Sequence, residues 1–363
     1  MPPTASRQHA IALIPGDGIG REVIPAATAV LDAAGRRFGF SLAYEEHPWG
    51  CDFFAQTEAM MPADGLDRLR ESDAILLGAV GRPDVPDHVS LWGLLIPIRR
   101  AFRQYVNLRP VRLLPGVTSP LRDVAPADLD LVVVRENNEG EYSEIGGRLY
   151  QGTPDELAVQ QATFTRRGVE RVIGFACELA ASRSGRLTSA TKSNGIIHTM
   201  PFWDQVFAEQ LEAHPGLDAD QLHIDALAAM LVLRPGRFDV IVASNLFGDI
   251  LSDLVAAVAG SIGVAPSANL NPERELPSMF EPVHGSAPDI TGQGIANPVG
   301  AIWSGAMLLE HLGEAEAAAA VMDAVERAMA AGVRTRDLGG SASTEDVARA
   351  VCNELGKGVP RPV

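Results

Sequence analysis

Residues 11–34 read IALIPGDGIGREVIPAATAVLDAA and set the fold class. The run 11–14 has the length and composition of a buried strand, and the three glycines of residues 16–20 predict a turn. From residue 22 to residue 34 the apolar side chains recur at helical spacing. A strand, a glycine turn and a helix in this order predict the first unit of an α/β protein.

The same alternation continues along the chain. Apolar runs at 74–79, 131–134 and 240–243 predict further buried strands, and each ends where polar residues or glycine begin. Residues 315–331 are rich in alanine and predict a helix from intrinsic propensity. Because binding sites form where the strands of an α/β sheet end, we expect the functional residues near these strand ends.

One segment departs from this pattern. Residues 142–166 are polar and turn-rich, with β-like alternation over 158–164 and no helical period. This pattern predicts a hairpin-like projection, which contacts another subunit more often than it carries catalytic residues. Residues 1–9 and the proline-containing tail after Lys357 are expected to be loose.

Length and charge exclude several classes of function. The chain has 363 residues, enough for about two domains. Its 30 Lys and Arg residues against 46 Asp and Glu residues give a net charge of −16. That charge leaves no basic face for nucleic acid or for an anionic membrane surface, so neither is expected as a partner.

Cysteine usage and hydropathy point to the cytoplasm. The three cysteines, Cys51, Cys177 and Cys352, lie far apart without metal-ligand spacing, which favours reduced thiols. No apolar run reaches the ~18 residues that a membrane span requires, and the N-terminal stretch does not look like a signal peptide. We therefore expect an unprocessed cytoplasmic protein.

Two aspartates at helical spacing form a candidate metal site. Asp249 and Asp253 stand at i and i+4 in Leu-Phe-Gly-Asp-Ile-Leu-Ser-Asp, which places both carboxylates on one helix face. Asp249 has an alternative role as a helix N-cap, whereas Asp253 continues into an apolar helix where an unpaired charge is costly. Asp225, at the start of another apolar helix, is a third candidate ligand. Oxygen ligands favour Mg²⁺ or Mn²⁺ over zinc.

Three arginines form a candidate anion site. Arg99, Arg109 and Arg135 each adjoin an apolar or strand-like run. A solvated arginine is the usual explanation for any one of them, but three near predicted strand or loop ends suggest a small dianion bound by guanidinium groups. Tyr142 follows seven residues after Arg135 and taken alone is a packing residue.

Lysine usage singles out one residue. The chain has 28 arginines but only two lysines, Lys192 and Lys357. Because arginine does not lose its proton at working pH, Lys192 is a candidate for a titratable amine, with chance survival of a surface lysine as the alternative. Ser189 and Lys192 form a Ser-x-x-Lys pattern, but the other motifs of a serine hydrolase are absent.

Two glycine-rich loops are candidate nucleotide contacts. In the first, residues 16–20, Arg21 stands where a dinucleotide fingerprint needs glycine, so a tight turn is favoured over phosphate binding. The second, residues 284–298, offers backbone donors and the acidic side chain of Asp289. A carboxylate there binds both hydroxyls of an adenosine ribose and repels a 2′-phosphate, which favours NAD over NADP, with a surface turn as the alternative.

Taken in order, these motifs resemble the β-decarboxylating dehydrogenases, the family of isopropylmalate, isocitrate, homoisocitrate and tartrate or D-malate dehydrogenases. The resemblance spans nearly the whole chain. It implies a two-domain α/β/α fold that is not a Rossmann fold, with a β arm for dimerisation. It implies a large domain (1–104 with 260–363) that carries the NAD-binding loops. It also implies a small domain (105–259) that carries the dimer interface and an arm at about 137–166.

The resemblance also assigns roles to residues. Arg99, Arg109 and Arg135 bind substrate, Tyr142, Lys192 and Asp225 are catalytic, and Asp225, Asp249 and Asp253 hold the metal. Lys192 and Asp225 reach the site from the second subunit of a homodimer. The positions implied for coenzyme binding are Ile19, His284, Gly285, Ser286, Ala287, Asp289, Ile290 and Asn297.

Substrate choice in the resembled family is made just before the first arginine. Isocitrate enzymes carry serine and asparagine where this chain has Gly93 and Leu95, and isopropylmalate enzymes carry an acidic residue where it has Trp92. The segment looks like the tartrate/D-malate branch, with a bulky residue filling the space of a larger substituent. The resemblance therefore predicts NAD- and Mg²⁺- or Mn²⁺-dependent oxidative decarboxylation of a small hydroxy-diacid, D-malate to pyruvate and CO₂ being the first choice and tartrate a related substrate. The alternatives are 3-isopropylmalate dehydrogenase and a non-catalytic dimeric scaffold.

Overall fold

The structure, a computed structural model, describes residues 7–357. The strands of these residues are β1 (Arg7–Gly16), β2 (Phe40–Glu46), β3 (Ala74–Ala79), β4 (Val106–Arg112), β5 (Asp130–Glu136), β6 (Gly146–Leu149), β7 (Leu157–Gln160), β8 (Arg186–Thr191), β9 (Asp218–His223), β10 (Val240–Ala243), β11 (Pro266–Leu270) and β12 (Ser278–Pro282). The first expected unit is confirmed, as are the strands at 74–79, 131–134 and 240–243.

The helices of the same residues are α1 (Gly20–Phe38), α2 (Cys51–Thr57), α3 (Gly65–Arg70), α4 (Asp87–Ser90), α5 (Ile96–Ala101), α6 (Arg166–Ser182), α7 (Thr199–Ala213), α8 (Ile224–Leu233), α9 (Asn245–Val258), α10 (Val299–His311), α11 (Ala315–Ala330) and α12 (Thr344–Gly356). A π-helical turn, Leu91–Leu95, joins α4 to α5. Short 3₁₀ turns lie at Pro126–Asp128, Pro235–Arg237, Ile262–Val264 and Arg336–Leu338. None of the described helices combines the length and apolarity needed to cross a membrane.

Ten strands form one mixed sheet in the order β2-β1-β3-β12-β11-β4-β5-β10-β8-β9. The three central pairs, β12 with β11, β11 with β4, and β4 with β5, are antiparallel. The pairs on either side of them are parallel. Antiparallel pairing at the centre distinguishes this sheet from the parallel sheet of a Rossmann fold.

The two ends of the chain share one half of this sheet. Strands β2, β1, β3, β12 and β11 come from residues before 80 and after 265, whereas the other five lie between 106 and 243. Helices α1, α10, α11 and α12 pack together on the first half, and α6 and α7 pack on the second. One large cluster of buried apolar side chains extends through both halves. The domain boundaries implied by the resemblance stay a prediction.

The segment predicted to project forms a hairpin. Strands β6 and β7 pair antiparallel, with Leu149 opposite Leu157, and both are fully on the surface. Several large apolar side chains of this hairpin, which we call the arm, are exposed: Ile145, Leu149, Tyr150, Leu157 and Val159. Exposed apolar patches of this kind are typical of protein–protein interfaces.

The glycine turn at 16–20 is fixed by internal contacts. Gly16 has a φ of +69°, and a Cβ at this position would collide with the carbonyl oxygen of Ala79. The amides of Asp17 and Ile19 donate to the carbonyl oxygens of Ala79 (2.8 Å) and Ser286 (2.9 Å). Because these donors are already satisfied, the structure favours the turn over the phosphate-binding alternative.

The expectation of a loose start is wrong for residues 7–9, which pair with residues 40–42 of β2. The rest of that expectation, residues 1–6 and the tail from residue 358 onward, lies outside the described residues.

Candidate active site

The three arginines lie together where the two halves of the sheet meet. Arg99 is on α5, Arg109 on β4 and Arg135 on β5. Their side chains are almost completely buried. Three buried guanidinium groups require carboxylate partners, because an uncompensated buried charge is costly.

Asp249 on α9 is a shared partner of two arginines. Arg135 forms an ion pair with its Oδ1 atom, and Nη1 of Arg109 lies 3.3 Å from the same oxygen. Burial alone would raise the pKa of Asp249, but Arg135 and Arg109 outweigh that effect and hold the pKa below its ordinary value. Asp249 is therefore a carboxylate anion between two cations.

The N-cap alternative for Asp249 is wrong. Helix α9 starts at Asn245 with Ser244 as its N-cap, so Asp249 lies inside the helix. Asp253, for which a nearby cation was expected, has an arginine as neighbour and is not fully buried. Its side chain is 55% exposed, and its Oδ1 atom lies 3.6 Å from Nη1 of Arg109. Burial and the neighbouring Asp249 raise the pKa of Asp253, although Arg109 opposes this.

Tyr142 belongs to the same cluster. Its hydroxyl donates to Oδ2 of Asp249 at 3.1 Å, and the guanidinium carbon of Arg135 lies 5.5 Å from its ring centre. Burial and the charge of Asp249 raise the pKa of the phenol, so the proton stays on the hydroxyl. Tyr142 can therefore donate a proton to a group bound beside Asp249.

Lys192 and Asp225 form a separate pair. Lys192 follows β8, and its Nζ atom lies 2.6 Å from Oδ1 of Asp225 at the start of α8. The Asp225 side chain is 68% exposed, and its hydrogen bond with Lys192 lowers its pKa. Within one chain, neither residue has a hydrogen bond or ion pair with Asp249 or Asp253.

The described residues of one chain do not form a complete metal site. Within residues 7–357, no three acidic, histidine or cysteine side chains lie close enough to hold a metal ion. Asp249 and Asp253 share one face of α9, and their carboxylates are the oxygen donors that Mg²⁺ and Mn²⁺ prefer. The residues of one chain thus fit part of a divalent-cation site.

The segment expected to choose the substrate is the π-helical turn. Leu95 borders a cavity of about 130 Å³ together with Arg99, Arg109 and Glu281. Trp92 does not line this cavity, and its ring lies against the guanidinium group of Arg100 at 4.9 Å. Leu95, rather than Trp92, is placed to limit the size of a ligand at the arginines.

The second glycine-rich loop presents an open acidic side chain. Asp289 is exposed, and its carboxylate has no hydrogen bond or ion pair with residues 7–357. In the same loop, Nε2 of His284 is buried without a partner, and burial lowers the pKa of this imidazole. A Cβ atom added at Gly285 would have no neighbouring atom within 4 Å, so the backbone here is open to a ligand. A free carboxylate and an unpartnered buried nitrogen fit the ribose and base of a dinucleotide.

Other positions implied for the coenzyme have internal roles. Ile19 is buried, and Ser286 accepts from its amide. The Asn297 side chain donates to Asp337 at 2.9 Å and accepts from the amide of Val299 at 3.0 Å, which caps α10. The loop positions Ala287 and Ile290 are half-buried.

Three further site residues escaped the sequence analysis. Glu281 on β12 pairs with Arg99 at 2.7 Å, and Asn245 and Ser252 on α9 accept from Arg135 (2.7 Å) and Arg109 (2.6 Å). One signal was available for Glu281, because an acidic residue inside an otherwise apolar strand needs a cation partner. Asn245 and Ser252 carry no such signal.

Comparison with known proteins identifies the class and then the family. The family model described as "Isocitrate/isopropylmalate dehydrogenase" matches residues 10–356. A "Probable tartrate dehydrogenase/decarboxylase" of Bacillus subtilis (strain 168) is 53% identical over 97% of this chain and 99% of its own. A "D-malate dehydrogenase [decarboxylating]" of Escherichia coli (strain K12) is 55% identical over 94% of this chain and 97% of its own.

A solved structure supports the same family. The crystal structure of isocitrate dehydrogenase from Methylococcus capsulatus superposes with a TM-score of 0.87 at 33% identity, covering 96% of this chain and 99% of that one. The shared fold, together with the buried arginines and paired aspartates, places the chain in the class of α/β dehydrogenases that have a mixed sheet. The chain belongs to the isocitrate/isopropylmalate dehydrogenase family, as the sequence motifs predicted. It is an oxidoreductase of the decarboxylating-dehydrogenase type.

Proposed function

We propose that this protein catalyses the NAD-dependent, divalent-metal-dependent oxidative decarboxylation of a small 2-hydroxy diacid, with D-malate as the best substrate and tartrate as a related one. One observation carries the proposal: Arg109 and Arg135 converge on Asp249, and Arg99 lines the same small cavity as Arg109. Buried arginines at this density suit a dianion, since each guanidinium offers paired donors to a carboxylate. The names of the relatives from B. subtilis and E. coli support the same reaction class.

The small cavity supports a C4 substrate. Leu95 borders the pocket that contains Arg99 and Arg109, so a branched alkyl group bound beside these arginines would meet its side chain. This argues for D-malate over 3-isopropylmalate, the second candidate.

Asp249 and Asp253 would hold Mg²⁺ or Mn²⁺, with Asp225 of a second copy as the third ligand. Asp289 and His284 would hold NAD. A metal bound at these carboxylates would supply Lewis-acid polarisation of the substrate hydroxyl, and NAD⁺ bound at the loop would supply the hydride acceptor. Lys192 accepts the hydroxyl proton directly or through Asp225, and Tyr142 delivers a proton to C3 after CO₂ has left. The three arginines hold both substrate carboxylates until one of them leaves as CO₂, and then hold the remaining one.

The exposed surface of α8 and α9 supports a homodimer with shared sites. Leu246 and Ile250 are exposed on α9, the helix that carries Asp249, and Leu233 is exposed on α8, the helix that starts beside Asp225. Burying these apolar side chains against a second copy would bring α8 of one subunit toward α9 of the other. Asp225 and Lys192 would then complete the site of the partner.

The decisive assay follows NADH absorbance with D-malate, D-tartrate and 3-isopropylmalate, each with Mn²⁺ and after treatment with a chelator. We expect the highest kcat/KM with D-malate and loss of turnover on chelation. Faster turnover of 3-isopropylmalate would favour leucine-pathway chemistry, and no turnover with any acid would favour a non-catalytic scaffold.

Subunit mixing tests the shared site. Lys192→Met and Asp253→Asn homodimers should both be inactive, the first while still binding substrate. After random subunit exchange, half of the dimers contain one intact site of two, so about a quarter of the wild-type activity should return. No recovery despite demonstrated exchange would show that both residues serve the same chain.

We also propose a cytoplasmic location, since all three cysteines are free and a reducing compartment keeps them so.

A further inference from the structure

A chain of buried amide side chains crosses the middle of the sheet. Nδ2 of Asn107 on β4 and Nδ2 of Asn137, just after β5, each lie 2.9 Å from Oδ1 of Asn269 on β11. Nδ2 of Asn269 lies 2.8 Å from Oε1 of Glu281 on β12. Oε1 of Glu281 also accepts from Arg99 at 2.7 Å. All of these side chains are buried, which makes every partner consequential.

The direction of this chain is determined by its acidic end. The Glu281 carboxylate accepts hydrogen bonds, so Asn269 must turn its NH₂ group toward Glu281 and its oxygen toward the other two amides. Oδ1 of Asn107 and Oδ1 of Asn137 have no hydrogen-bond partner and are buried. Two buried acceptors without a partner cost free energy. The fold keeps the donation toward Asn269 and Glu281 in spite of that cost.

This geometry connects the arginine site to both halves of the sheet. Asn107 and Asn137 belong to the half formed by residues 106–243, whereas Asn269 and Glu281 belong to the other half. A single carboxylate oxygen, Oε1 of Glu281, receives both the Asn269 amide and the Arg99 guanidinium. Losing the amide would free Glu281 to rotate, and the Arg99 guanidinium would move with it.

We propose that Asn269 is a positioning residue, which through Glu281 fixes the guanidinium group of Arg99 for a substrate carboxylate. The inference rests on the proposed function, because it takes Arg99 as a substrate contact. Asn269 does not touch substrate. Its effect is therefore expected in the binding of the diacid and not in the binding of coenzyme.

The test compares two isosteric substitutions on neighbouring parts of the chain. Asn269→Asp keeps the acceptor for Asn107 and Asn137 but replaces the amide donor to Glu281 with a second carboxyl group. The assay is run at alkaline pH, where the two carboxylates do not share a proton and their repulsion draws Arg99 out of place. Asn271→Asp is the matched control: Asn271 is also buried, and its Oδ1 accepts from the amides of residues 275 and 276, a role that aspartate retains. Its Nδ2 lies 3.3 Å from Oε2 of Glu273, so aspartate again meets a carboxylate, but not the one that binds Arg99.

We expect Asn269→Asp to raise KM for D-malate by about 10- to 100-fold, with a smaller fall in kcat and KM for NAD⁺ within about twofold of wild type. Asn271→Asp should leave all three constants within about twofold. Unchanged KM for D-malate at alkaline pH in a folded Asn269→Asp variant would overturn the inference.

A second variant covers loss of folding and measures the coupling. In Asn269→Asp/Glu281→Gln the acid moves from position 281 to position 269, so that the introduced glutamine amide donates to the introduced aspartate and its oxygen accepts from Arg99. KM for D-malate should return to within about fivefold of wild type, below the value of Glu281→Gln alone and of Asn269→Asp where that variant folds. Effects that simply multiply would refute the positioning role.

Arg99→Lys separates this inference from the proposed function. A raised KM for D-malate supports Arg99 as a substrate contact, since lysine cannot reproduce the paired donors. If Arg99→Lys raises KM while Asn269→Asp and Glu281→Gln do not, only the positioning role falls. If Arg99→Lys leaves KM unchanged, the proposed substrate site falls and the inference falls with it.

Discussion

Glu136, at the end of β5 beside Arg135, should make the protein less stable as pH rises. The side chain is 0% exposed, and no arginine or lysine forms an ion pair with it among the described residues. Burial raises the pKa of Glu136 from 4.5 to about 7, although the amides of Asn138 and Glu139 donate to the carboxylate and oppose the rise. Near neutral pH, the folded protein therefore holds a carboxyl proton that the unfolded chain has released.

The direction and size of the change in stability with pH follow from this difference in proton binding. Between pH 4.5 and about 7 the folded state binds more protons at Glu136 than the unfolded state, so stability falls as pH rises through that range. The stabilisation is fully present below the unfolded pKa and lost above the folded one. Between about pH 5.5 and about pH 8 the loss amounts to about 2 kcal/mol, because the unfolded carboxyl is already largely ionised at the lower pH.

Glu136→Gln removes this titration while keeping an oxygen for the two amide donors. Urea unfolding followed by circular dichroism, at one protein concentration, gives the free energy of unfolding at both pH values. The free energy of unfolding of the variant minus that of wild type should rise by about 2 kcal/mol between pH 5.5 and pH 8. Glu144→Gln is the control, since the Glu144 side chain is 68% exposed and should give a nearly equal difference at both pH values. An equal difference for Glu136→Gln as well would refute the reasoning.

Three more outcomes are expected. Asp289→Lys should shift coenzyme preference from NAD toward NADP by at least about tenfold in kcat/KM, because a cation replaces the open carboxylate; an unchanged ratio would remove Asp289 from coenzyme selection. Leu95→Ala should enlarge the cavity beside Arg99 and admit 3-substituted malates, whereas Trp92→Ala should change substrate range less; the reverse order in kcat/KM would contradict the placement of these side chains. Gly16→Ala should lower the free energy of unfolding by about 2 kcal/mol or more, since it combines a positive φ with a backbone collision, and urea unfolding at pH 8 would reveal an error if stability were unchanged.

Local patterns predicted the elements, but long-range packing decided some of their ends. The strand at 240–243 and the helix at 315–331 were recognisable because their periodicity and propensity agree with their burial. One of the two alternatives for Asp249 placed it at the N-cap of helix α9. The helix begins at Asn245, and Gly248 is accommodated inside the helix because a Cβ there would lie 2.6 Å from Cβ of Arg135 on β5. No local pattern reports that contact.

The same limit applies to the site. The types of residue predicted the chemistry, since buried arginines need anions and paired aspartates favour divalent cations. Their partners were not predictable, because Arg99 and Glu281 are 182 residues apart and the amide chain through Asn269 has no sequence period. The separation of Lys192 and Asp225 from Asp249 within one chain was implied by the family resemblance, but no local pattern of residues indicates it.

The interleaved strand order also has a consequence during synthesis on the ribosome. Strand β12 lies between β3 and β11, so the half of the sheet built from the two chain ends stays incomplete until residues 278–282 emerge. The five strands between residues 106 and 243 are contiguous and available much earlier. We expect this central half to fold first on the nascent chain. The apolar face of α1 stays exposed until α10, α11 and α12 have been synthesised and pack on it, and during that time it is a target for chaperones.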